Sequence, residues 1–161
     1  MLKRCHDAHQ YRAFLRVRIK TRARIWRMLA PSSTMGSNCM PYIARADYAK
    51  QKEVVGNGQC DTLVQHLAGA RASSLWREGA SVPDLLEKGR IAKGTVIATF
   101  VNGRYQHLPH GNHAALFIRQ VPGGIEIFDQ RRNHKPGTRV IHFGRSAAGP
   151  ANRPERYAVV E

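Results

Sequence analysis

Apolar and polar positions follow two different rhythms along this chain, and the change falls near residue 90. In CDTLVQHLAGA, residues 60–70, Cys60, Leu63, Val64 and Leu67 form the i, i+3, i+4, i+7 stripe of an amphipathic helix, with Asp61, Gln65 and His66 on the other face. Ahead of it, residues 40–55 read as a short helix or turn after Pro41 that leads into the glycine-rich GNG. SSLWREGASVPDLLEKGR, residues 73–90, predicts a second short helical piece before Gly79 and a loop through Pro83. Beyond it the period becomes that of strands. GTVIATFVNGRY, HAALFIRQ, GIEIFD and TRVIHF are short, rich in β-branched and aromatic residues, and separated by Asn-Gly or Pro-Gly-Gly signals. They predict an antiparallel meander, and RYAVV near the end predicts a last strand at the sheet edge. Helices first and strands afterwards imply an α+β domain in which the helix that carries Cys60 packs on one face of the sheet.

Composition changes this picture at one end. Of the net charge of +15, +8 sits in residues 1–34, and the stretch APSSTMGSN that follows is rich in breakers. Residues 1–34 therefore read as a basic, disordered leader, and residues 35–161 as the folded domain. The leader has three readings: a nucleic-acid arm, a targeting segment, or translated sequence upstream of a true start at Met35, of which the last is favoured. AFLRVRIKTRARIW lacks the unbroken apolar stretch of roughly 7–15 residues that a secretory signal needs. No apolar run is long enough to span a membrane. Without a signal, the expected location in the producing cell is the cytoplasm.

Cys5, Cys39 and Cys60 are an odd set with no CxxC spacing, so neither a disulfide framework nor a zinc ribbon is indicated. Cys60 is a different matter. A cysteine in the first turn of a helix meets unpaired N–H groups and the positive end of the helix dipole, which favour thiolate. GNHAALF places His113 where a strand begins, so that its imidazole emerges at the sheet rim as a general base. A third polar group must fix the imidazole, and GIEIFDQ offers Asp129 or Gln130. Hairpin parity decides between them. A three- or five-residue loop brings Asp129 to the face of His113, whereas a two-residue turn brings Gln130 there. Pro122 fits poorly in a tight primed turn, which favours Asp129. The rival spacing His107, His110, His113 is broken by Pro109 and Gly111 and has no supporting Cys or carboxylate. His134 and His142 read as solvated positions. Neither a metal nor an organic cofactor is expected.

These residues resemble the CHAP and NlpC group of papain-like cell-wall amidases. GNGQC is similar to the CHAP GQC box, SLWREGASV to its Trp-then-Gly stretch, KGTVIATF to its Gly-led strand, and NHAALFIRQVPGGIEIFD to its His-strand, turn and acidic-strand module. The likeness runs from about residue 56 to residue 143 with the blocks in the same order. It implies Cys60 as nucleophile, His113 as general base and Asp129 as orienting acid, with the Cys60 N–H and Gln59 serving the oxyanion. CHAP domains usually continue the acidic strand to an Asn two residues on. Here Asp129 is followed by Gln130 and Arg131, and Gln130 stays a supporting candidate. Small members without wall-anchoring modules resemble the peptidoglycan amidases that bacteria deliver into rivals by type VI secretion, which implies peptidoglycan as substrate, action in the periplasm of a target cell and a cognate immunity protein. Two other expectations compete: nucleic-acid binding through the leader, and a papain-like toxin acting on a protein.

Overall fold

The computed structural model describes residues 40–108 and 110–161. The basic leader and the start at Met35 lie outside the described residues. The helix α1 (Cys60–Ala68) begins at the residue the apolar stripe predicts, after Gln59 leaves the preceding loop in extended conformation. Leu63 and Val64 are fully buried, and α1 packs on the strands β3 (Ala114–Val121) and β4 (Gly124–Arg131).

Among the described residues one six-stranded antiparallel sheet forms, completed by β1 (Glu78–Ser81), β2 (Val96–Thr99), β5 (His134–His142) and β6 (Tyr157–Val160). The spatial order is β1-β6-β2-β3-β4-β5, so β2 to β5 are the expected meander. On one face Phe128, Leu116 and Val96 join the α1 stripe. On the other, Ile97, Phe117, Ile125, Ile127 and Tyr157 form a second core with Val82.

Two expectations fail, each for a local reason. RYAVV is not an edge strand: β6 lies between β1 and β2, and all four of its residues are buried. Four apolar residues with no polar alternation mark a strand buried on both faces rather than one at an edge. Pro83 does not sit in a loop but in the first turn of a short helix, α2 (Val82–Glu87), where a missing N–H costs nothing and the Ser81 side chain accepts from Asp84 N. The strand β1 just before it had no alternating signal. The helical piece before Gly79 is a single 3₁₀ turn, Ser73–Leu75.

The β3–β4 connection also differs from the favoured one. Val121 pairs with Gly124, leaving a two-residue turn of Pro122 and Gly123. Gly123 has φ +69°, so Pro122 occupies the position that suits its fixed φ and Gly123 the left-handed one. By itself that turn would place Gln130 on the face of His113. A bulge between Phe117 and Arg119 inserts one extra residue in β3, shifts the register by one and returns Asp129 to that face.

Candidate active site

Cys60 is the first residue of α1 and is 8% exposed, its sulfur closed in by Tyr105 from the loop after β2 and by His113 and Ala114 at the start of β3. The loop before it is set by Gly58, whose φ of +79° an L side chain adopts only at a cost of roughly 1–2 kcal/mol. Asn57 Oδ1 accepts from Gln59 N and ties the same loop at 3.0 Å.

His113 stands just before β3. Its N–H donates to Thr99 Oγ1 at 3.0 Å and its carbonyl accepts from Thr99 N at 2.9 Å, which fixes the backbone against β2. The imidazole Nε2 is 2.6 Å from Asp129 Oδ2, with both side chains almost fully buried. The ring lies close enough to the Cys60 thiol to lower its pKa. With Nε2 occupied by the carboxylate, Nδ1 is the nitrogen left for the sulfur.

Burial pushes the Cys60 thiol up, but the hydrogen bond and charge of His113, the Tyr105 hydroxyl and the Ala114 N–H more than offset it and hold the thiol below its ordinary value. Burial pushes His113 down, yet Asp129 and Cys60 raise it above the usual imidazole range. Asp129 is raised by burial and lowered further by His113 and Arg139, with a net shift below the carboxylate range. The three shifts agree in sense, each favouring the charged form of its group: thiolate, imidazolium and carboxylate. Because the sulfur and the ring titrate together, the two steps belong to the pair.

The structure thus brings Cys60, His113 and Asp129 together and sends Gln130 elsewhere. Gln130 is completely buried on the opposite face of β4. Its Nε2 donates to Val55 O and Gln59 O, both at 2.8 Å, and its Oε1 accepts from Val55 N at 2.9 Å. As an alternative partner for His113 it is corrected by the bulge; as a support it clamps the loop before Cys60. Gln59 is exposed beside the sulfur and lines the cleft.

Two residues escaped the sequence reading. The Tyr105 hydroxyl is 3.4 Å from Cys60 Sγ. Burial and then the neighbouring sulfur push its pKa up, so it stays protonated and donates to a thiolate. Its ring packs at 5.0 Å on buried Trp76, which is what the Trp-containing stretch contributes. Nothing in VNGRY marked this tyrosine among the other strand aromatics. Arg139 Nε donates to Asp129 Oδ2 at 2.7 Å. It was legible only as an opposite charge across the β4–β5 pairing, a pairing set by a hairpin whose strand begins four residues earlier than TRVIHF suggested.

A cleft of about 400 Å³ opens over the sulfur, lined by Asn57, Gln59, Tyr105, His107 and Asn112. On its wall Ser73 Oγ donates to Asp61 Oδ2 at 2.7 Å and lies 3.0 Å from His107 Nε2. His107 and His113 therefore serve separate networks rather than one ligand set.

The family profile described as Domesticated amidase effector 2 matches residues 32–160. A Salmonella typhi protein, "Type VI secretion amidase effector 2 protein", is 45% identical over 136 residues, covering 76% of this chain and 100% of the relative. A solved structure of "Type 6 secretion amidase effector 2" aligns with a TM-score of 0.61 and 36% identity over 73% of this chain and 93% of that one.

Proposed function

Since this chain belongs to the Domesticated amidase effector 2 family and is an amide-bond hydrolase of papain-like α+β fold, we propose that it cleaves an amide of peptidoglycan, in a stem peptide or cross-link, through Cys60, His113 and Asp129. The observation that carries the catalytic assignment is the buried chain Cys60–His113–Asp129, with 2.6 Å between ring and carboxylate.

Cys60 thiolate attacks the amide carbonyl, and an S–C bond forms. The oxyanion is received by the Cys60 N–H at the start of α1, a group with no carbonyl before it in the helix, and by the Gln59 side chain at the cleft wall. As the C–N bond breaks, His113 gives its proton to the departing amine. Water then attacks the thioester, His113 takes a proton from it, and Cys60 leaves as thiolate. Asp129 holds the ring and carries the balancing charge throughout.

The catalytic domain of this proposal is residues 35–161, with 1–34 as a basic leader. The relatives' names support delivery by type VI secretion into a target cell; residence in the producer's cytoplasm beforehand and a cognate immunity protein belong to the same proposal. No helix among the described residues is long and apolar enough to cross a membrane. The chain's excess of cations supports adhesion to an anionic wall by long-range attraction that salt screens.

Purified sacculi digested with wild type and with Cys60→Ala, and analysed by mass spectrometry, test the reading. Wild type releases fragments with a new amine and carboxylate at one bond, and Cys60→Ala releases none. Equal release by both would refute it.

A further inference from the structure

Oδ2 of Asp129 accepts from His113 Nε2 at 2.6 Å and from Arg139 Nε at 2.7 Å. One carboxylate oxygen thus faces two cationic groups. Arg139 projects from β5 on the face of Ile127, its cross-strand partner, and is itself anchored. Its Nη1 donates to Asn152 Oδ1 at 2.8 Å and its Nη2 to Ala151 O at 3.2 Å. The same Ala151 carbonyl accepts from the Tyr157 hydroxyl at 2.8 Å, which ties the segment before β6 to the base of the site. The guanidinium is four-fifths buried, so its charge is only partly screened by water.

A carboxylate shared in this way gives less to each donor than it would give to one. We propose that Arg139 is a positioning residue for the reaction: it aims the Asp129 carboxylate at His113 while drawing off part of its charge, so that the imidazolium remains a strong enough acid to protonate the leaving amine. The inference rests on the assignment of His113 as that acid. An imidazolium bound by an unshared buried carboxylate would hold its proton too tightly and transfer it slowly.

The ionisable groups around the ring set the sign of the effect. Cys60 from α1 and Asp129 from β4 act on the ring directly, Arg139 from β5 and Tyr157 from β6 act on Asp129, and Tyr105 reaches the sulfur from the loop after β2. Both tyrosines are pushed up by burial and stay neutral. Arg139 is therefore the permanent cation in the group. Removing it leaves the whole carboxylate to His113 and takes away a repulsion between like charges, so His113 titrates higher.

The test compares wild type, Arg139→Gln and Arg139→Lys by NMR titration of the His113 ring in the free protein and by the pH profile of fragment release from sacculi. In Arg139→Gln the His113 ring is expected to titrate at higher pH and the alkaline limb to move up with it. At the optimum kcat falls roughly 10- to 100-fold with KM little changed, as for a misplaced catalytic group. Arg139→Lys, which keeps the charge, returns both titrations toward wild type. A folded Arg139→Gln whose ring titration and alkaline limb match wild type overturns the proposal, however much its rate has fallen. Should the glutamine variant not fold, Arg139→Met, which keeps the aliphatic stem, is read in the same way. Cys60→Ala measured in parallel separates the two readings: if it still releases fragments the triad assignment fails, while the ring titration alone still decides whether Arg139 draws on Asp129.

Discussion

Asp129 shows how much one side chain carries in a buried site. Its carboxylate satisfies a ring N–H and a guanidinium N–H at once, and its charge makes an imidazolium stable where burial alone would have discharged it. Asp129→Asn keeps the shape and removes the anion. His113 is expected to fall back toward lower values, so that the alkaline limb of kcat/KM moves to lower pH, opposite in direction to Arg139→Gln. The rate should drop about a hundredfold or more, the usual scale for a disturbed acid–base group. A pH profile of fragment release that keeps its alkaline limb in place would show that the charge of Asp129 is not felt by the ring. Cys60 and His113 were both legible as residues, the first from its place on the helix stripe and the second from its place at a strand start. Tyr105 was not, because an aromatic after an Asn-Gly turn reads the same whether its hydroxyl meets a sulfur or solvent.

At the level of elements, the site depends on a register that no single turn predicts. The expectation that Pro122 excludes a two-residue connection brings Asp129 to the face of His113, where it is found, for a reason the structure does not share. The turn has two residues after all, and a bulge in β3 restores the parity. Bulges leave little trace in a short apolar strand, so the compensation could not be seen in HAALFIRQ. The same register sends Gln130 to the far face, where it closes the loop that launches α1. Gln130→Ala leaves Val55 N without its partner and takes one donor each from Val55 O and Gln59 O, which keep bonds from Gly58 N, Leu63 N and Thr62 Oγ1. A loss of about 1–3 kcal/mol in denaturant unfolding is expected, since an unpaired buried group bears the desolvation cost. Fragment release should fall too, because the loop fixes the start of α1. A variant as stable and as active as wild type would show that the clamp is idle.

For the molecule as a whole, the α+β class and the helix-on-sheet arrangement were readable from the change of period, and the meander β2–β5 followed from the turn signals. What escaped were the pieces whose sequence is short or uniform: β1, the helix that starts at Val82, and the place of β6, a strand expected at the edge that instead lies between β1 and β2. Those pieces close the second core and set Tyr157 beneath Asp129 and Arg139, so the charge state of the site is a property of the complete fold. The proposed thiolate–imidazolium pair joins Cys60 to a residue more than fifty positions away. In the unfolded chain the pair does not exist. The most direct test is the pH dependence of iodoacetamide alkylation at Cys60, followed by mass spectrometry of its own peptide, in native protein, in His113→Ala and in urea. Native Cys60 is expected to react well below the pH at which ordinary thiols ionise, and His113→Ala and the unfolded chain to revert to the ordinary curve. A native profile that coincides with the unfolded one would contradict it.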